Sequence, residues 1–207
     1  VVSDLLGRHQ PDLPDADRAA LARLAEGSIG RALDLASAGG LTLYRDLMGL
    51  LGTLPKLDLV AAHGLGDKLA RKGSDTAYYA VTDLLVWWLA RFARSLAREA
   101  LPPEVVPGEA ALMSRLAGDR GLDRWVEVWE KVNRLFARAE SANLDRKQVI
   151  LNALQTVEAA APPRGGGGRG APPLPAGTPG GPCRRGRAFL PPVPSRGLYR
   201  PTWARRH

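Results

Sequence analysis

Between Ser74 and Glu99, the apolar residues Val81, Leu85, Trp88, Leu89, Phe92 and Leu96 recur at steps of three and four. Such a stripe lies on one face of a helix with 3.6 residues per turn and on no single face of a strand. The spacing predicts a core-facing helix over about 74–99, and helical periodicity governs most of the chain up to residue 161. "PDLPDADRAALARLAEG" opens on Pro and Asp start signals and stops at Gly27, while "SIGRALDLASAGG" is capped at Ser28 and ends at Gly39 and Gly40. "LTLYRDLMGLLGTLP" places Leu43, Leu47, Leu50, Leu51 and Leu54 together before Pro55. Asp58 caps the next helix, in which Gly64 and Gly66 are each about 1 kcal/mol poorer than Ala. Beyond the Pro-rich "LPPEVVPG" come a short helix from Glu109 to Ala117, another from Leu122 to about Ala139, and a last from Asp145 to Ala160. In the second of these, Trp125, Trp129, Val132 and Phe136 share a face, and Glu127 with Lys131 and Glu130 with Arg134 are ion pairs four residues apart. In the last, Val149, Ile150, Ala153, Leu154 and Val157 line one side. The expected fold class is all-α.

At Pro162 the chain changes character. Residues 162–207 hold 11 Pro and 10 Gly in 46 positions with no helical period, a composition that predicts disorder because it buries too little apolar surface to offset chain entropy. The charge divides at the same point. The net charge of +8 is a property of this tail, which carries nine Arg and no acid, whereas residues 1–161 carry 20 Lys and Arg against 21 Asp and Glu, a net of −1. Spaced arginines neutralise phosphates and Tyr199 and Trp203 can stack on bases, so one reading of the tail is an RNA- or DNA-binding segment. The other is an extension without selected function, since every basic residue in it is Arg and its residues are those that GC-rich codons encode.

Motifs for self-contained catalysis are missing from the sequence. There is no GxxxxGK[ST] loop, and "RGGGGRG" lacks the lysine and the flanking strand and helix that a phosphate cradle needs. His9, His63 and His207 are scattered, with no HExxH and no Cys/His spacing that holds zinc, and no GxSxG elbow occurs. The single cysteine, Cys183, excludes an internal disulfide and predicts a reducing, cytoplasmic setting. No apolar run reaches the roughly 18–20 residues that cross a bilayer.

The stretch "LARLAEGSIGRALDLA" poses a specific question. Gly27 as the residue after a helix end and Ser28 as the next cap make a tight corner, and Arg31 then falls in the first turn of the second helix, where the helix dipole disfavours a cation. Together with "GGLTLYRDLMGLL", "LLVWWLARFAR" and "RWVEVWEKVNRLFARAESANLDRKQVILNAL", this stretch resembles the C-terminal half of the delta-prime family of bacterial DNA polymerase III clamp-loader subunits, AAA+ proteins, in the form found in alphaproteobacteria. The resemblance covers about residues 1–161, and "GSIGRAL" and "ANLDRKQVILNAL" are its most specific pieces.

The resemblance implies that residues 1–38 are the end of an AAA+ helical lid, 41–161 a collar-type helical domain that packs side by side with other subunits, and 162–207 the tail. It implies that Arg31 acts as a sensor-2-like arginine toward a nucleotide phosphate, with Ser28 and Gly30 shaping its corner; the structural alternative is an ion pair with Asp34 or Glu26. It names the other clamp-loader subunits (delta, gamma/tau) as partners, with the sliding clamp and primer-template DNA reached through the assembly, at the replisome. It places ATP in the whole loader, with no cofactor bound by this segment, because the phosphate loop, zinc cysteines and arginine finger of the family are missing here. Interfaces combine aromatic anchors with arginine-containing rims, which makes Trp87 the candidate outward anchor and Arg91, Arg146 and Lys147 the candidate basic contacts.

Overall fold

Caps and left-handed turns divide the apolar stripes into separate helices. In the computed structural model, which describes residues 2–118 and 121–163, the regular structure of the described residues is entirely helical. The helices are α1 (Val2–His9), α2 (Asp15–Leu24), α3 (Ile29–Ser37), α4 (Gly40–Thr53), α5 (Leu59–Ala70), α6 (Asp75–Arg98), α7 (Glu109–Ala117), α8 (Leu122–Ala142) and α9 (Arg146–Ala160). Asp58 caps α5 by accepting from the Ala61 amide at 3.0 Å, and Asp145 caps α9 by accepting from the Gln148 amide at 2.8 Å. Each satisfies one of the donors that a helix start leaves unpaired. Gly39, at φ 65, makes the left-handed step between α3 and α4.

Helix α6 is the central element and packs against α4, α5 and α8, while α9 lies against α5 and α8. The N-terminal helices α1, α2 and α3 pack on one another, and α2 and α3 rest on α4. The stripes read from the sequence all face inward: Leu43, Leu47, Leu50, Leu51 and Leu54 are buried, as are Val81, Leu85, Trp88, Leu89 and Phe92, with Leu96 packed at the edge. Phe92 joins α6 to α8, stacked on Trp88 at 5.3 Å and edge-on to Trp125 at 4.8 Å. One hydrophobic cluster runs from Leu6 to Ala161 and crosses the α3–α4 corner without a break. Outside it, the surface pairs form as anticipated, Lys131 to Glu127 at 2.7 Å and Arg134 to Glu130 at 3.9 Å. The poor helix former Gly66 also has a packing reason: a Cβ there would lie 2.9 Å from Cγ of Lys147, so its absence lets α9 approach α5.

Three local features differ from the sequence reading. Helix α1 is not among the helices anticipated above; it is short, and it holds its place by burying Leu6 under α2 and α3. Helix α8 continues past Ala139 to Ala142, ending on Asn143 at φ 48, a residue that tolerates the left-handed conformation. The turn after α2 starts before Gly27: Ala25 caps the helix, and Glu26 at φ 48 takes the left-handed step together with Gly27 at φ 87. None of the described helices is long and apolar enough to cross a membrane. The disorder expected of the tail, and the roles considered for Tyr199, Trp203 and Cys183, concern residues from 164 onward and lie outside the described residues.

Candidate functional site

The α2–α3 corner is built as its sequence dictates. The Ser28 hydroxyl accepts from the Arg31 amide at 3.4 Å, a long capping contact, and Gly30 beside it is exposed with open space around it. Arg31 therefore stands in the first turn of α3, where the unpaired amides make a cation unfavourable. Its counter-charge comes from neither Asp34 nor Glu26. Glu26 reaches Arg94 instead, at 3.7 Å, and the charge facing Arg31 is Asp83, on α6.

Asp83 is half-buried on α6, where the charges of Arg31 on α3 and Glu140 on α8 act on it. Burial pushes its carboxyl up from 3.8 to about 6; Arg31 from α3 opposes that rise and Glu140 from α8 adds to it. A carboxyl raised in the folded state binds its proton more tightly there than in the unfolded chain, so its contribution is lost as pH rises from about 4 through 6. The ionised group then costs on the order of 3 kcal/mol, since each tenfold change in proton affinity is worth about 1.4 kcal/mol. Asp83→Asn should accordingly raise stability by roughly 1–3 kcal/mol at pH 8 and by nothing measurable near pH 4. Urea denaturation at the two pH values reads the difference, and a gain equal at both would show that Asp83 is not the titrating group.

A second cluster surrounds the α6–α7 region. Glu109 of α7 is 2% exposed and accepts from the Tyr44 hydroxyl at 2.7 Å, from the Val105 amide at 2.7 Å and from the Arg91 guanidinium. Burial, followed by the neighbouring Glu109 charge, holds the Tyr44 hydroxyl far above its usual range. Arg91 also donates to the Pro103 carbonyl and lies 5.1 Å above the Trp87 ring. Trp87, anticipated as an outward anchor, is 9% exposed: Tyr44 packs edge-on against it at 6.1 Å and Arg91 covers it. The outward orientation is thus corrected, because its place on α6 faces the α4 side of the core rather than solvent. The structure does bring Trp87 and Arg91 together.

Arg146 and Lys147 stand apart from this cluster, at the start of α9. Arg146 pairs with Asp75 and lies 5.1 Å over the Tyr78 ring, and Lys147 reaches Asp67 at 2.6 Å. The bond from Lys147 is the main reason the Asp67 carboxyl is held below its usual value. Both cations thus fasten α9 to α6 and α5, at about a third exposure each (32% and 28%).

The sequence pattern did not single out Asp83 or Glu109, since a carboxylate inside a helical stretch carries no mark of burial. It also passed over the exposed apolar pair Leu59 and Val60 (53% and 85%) at the start of α5. The signal was present in "DLVAAHG", where two large apolar residues directly follow a cap. Among the described residues no group of His, Cys, Asp and Glu could hold a metal ion. No protein-family model matches the chain, and no curated protein or solved structure matches it either.

Proposed function

We propose that this chain is the C-terminal, collar-bearing part of a clamp-loader subunit of the delta-prime type, assembling with delta and gamma/tau subunits in the cytoplasm so that the ring-shaped clamp is loaded on primer-template DNA. In this reading residues 1–38 complete an AAA+ lid and 41–161 form the collar. The observation that carries it is the "GSIGRAL" corner: a Ser28-capped turn that presents Arg31 from a first helical turn.

An arginine so placed gains from an added anion, because a phosphate would offset the dipole cost and accept charge-assisted hydrogen bonds. ATP belongs to the assembly, and this segment contributes the sensor side of the site rather than a phosphate loop. The collar role is supported by near-neutral charge over residues 1–161, a long helical core and exposed apolar side chains at Leu59 and Val60. Here Arg146 and Lys147 act mainly by holding α9 in place, and through it the outer surface that a neighbour would meet.

Pull-down of the tagged full chain against purified delta and gamma/tau subunits tests the reading. Retention of both is expected, and Val60→Asp should weaken it without altering the circular dichroism spectrum. The rival reading, a helical adaptor working through its Arg-rich tail, predicts polynucleotide binding that falls steeply with salt and vanishes on removing residues 162–207.

A further inference from the structure

On the face of α6 away from α8 lies a cleft of about 530 Å³ whose charge is strongly one-sided. Arg91, Arg94 and Arg98 follow one another at steps of three and four along α6 and therefore point the same way. Arg23 joins them from α2, fixed by donating to the Glu104 carbonyl at 2.7 Å. The four arginines hold different amounts of free capacity. Arg91 is committed to Glu109 and the Pro103 carbonyl. Arg94 has only the long, exposed contact with Glu26 and a bond to the Ala90 carbonyl of its own helix. Arg98 is exposed with no side-chain hydrogen bond or ion pair among the described residues. Glu26 is the one acid lining the cleft among the described residues, and the nearby Glu104 carboxylate accepts from the Ala110 amide at 2.9 Å. The remaining wall is apolar: Leu101 (51% exposed), Pro102 and Pro103.

We propose that this cleft docks a short acidic peptide segment of a partner protein, its carboxylates meeting Arg94 and Arg98 and an apolar side chain seated against Leu101 and Pro102. Charge complementarity selects the occupant. A guanidinium with free donors is a ready two-pronged partner for a carboxylate. The chain's own tail is excluded by its nine arginines and lack of acid. A polynucleotide suits the site less well, because residues 1–161 sum to −1 and so offer no net basic track for phosphates that run beyond the cleft, whereas a short peptide stays inside it. The apolar wall also has a use only for a ligand that brings an apolar group. This inference goes beyond the clamp-loader reading and stands without it.

The test is fluorescence anisotropy of a fluorescein-labelled hexapeptide, DEDLFD, titrated with the full chain and with its Arg94→Glu/Arg98→Glu variant. Both proteins carry the same tail, so direct binding to the tail is common to the two. Both substitutions are at solvent-accessible positions, and far-UV circular dichroism confirms that the variant is folded. The variant is expected to bind at least about tenfold more weakly. Glu26→Gln should bind more tightly, since it removes the competing carboxylate. Equal affinity of the two proteins, or no binding up to about 1 mM, would overturn the proposal. So would a single-stranded decanucleotide that binds more tightly than the peptide and loses that binding in the same variant.

Discussion

Replacing Glu109 with Ala is expected to destabilise the fold by about 3–5 kcal/mol, the cost of breaking a buried charged pair from one side. Three donors converge on that one carboxylate from three places in the chain: Tyr44 on α4, Arg91 on α6 and the Val105 amide in the loop before α7. With Glu109 gone, Arg91, at 11% side-chain exposure, keeps its charge without a counter-charge, and the fully buried Tyr44 hydroxyl loses its acceptor. The expectation is graded. Tyr44→Phe removes one neutral donor and leaves two on the carboxylate, so it should cost only about 1 kcal/mol. Glu109→Gln retains an acceptor for Tyr44 but removes the charge that holds Arg91, and should fall between them. Urea midpoints of the three variants, with slopes unchanged, read the series. A Glu109→Ala cost no larger than that of Tyr44→Phe would mean that the carboxylate is not the organising group.

The second large effect is expected at Trp125. Its ring is fully buried and meets Phe92 edge-on, so it carries much of the contact between α6 and α8. Trp125→Ala should cost about 3–5 kcal/mol, combining lost burial with the cavity left behind. The indole N–H is buried with no hydrogen-bond partner among the described residues, so replacing it with an apolar ring forfeits no bond. Trp125→Phe should therefore cost well under half as much, mainly through lost volume. Thermal or urea denaturation separates the two, and equal costs would point to a bond made by the indole nitrogen.

The helices were legible where periodicity and caps agreed. The stripes on α4, α6 and α9 and the caps Ser28 and Asp58 depend on residues close in sequence, and each appears where its spacing puts it. Helix α1 was not legible, because eight residues give barely two turns of pattern and it is secured by long-range burial of Leu6. The candidate site divides in the same way. The corner geometry around Arg31 is local and follows from its residues, while its counter-charge, Asp83, lies far along the chain on another helix. Trp87 was misoriented for a related reason: beside a broad stripe, a residue one position off the centre faces solvent or a neighbouring helix depending on what packs there. Here α4 supplies Tyr44, and Arg91 closes the remaining side. Arg146 and Lys147 were visible as cations on a capped helix, but their partners Asp75 and Asp67 depend on how α9 docks.

Assembly with clamp-loader subunits is the property on which the proposed function stands or falls. It is read by size-exclusion chromatography with light scattering on the full chain mixed with delta and gamma/tau subunits. A single peak is expected whose mass equals that of a complex containing all of them, present also when residues 162–207 are removed. If a well-folded chain instead elutes apart from the other subunits, the clamp-loader reading is wrong.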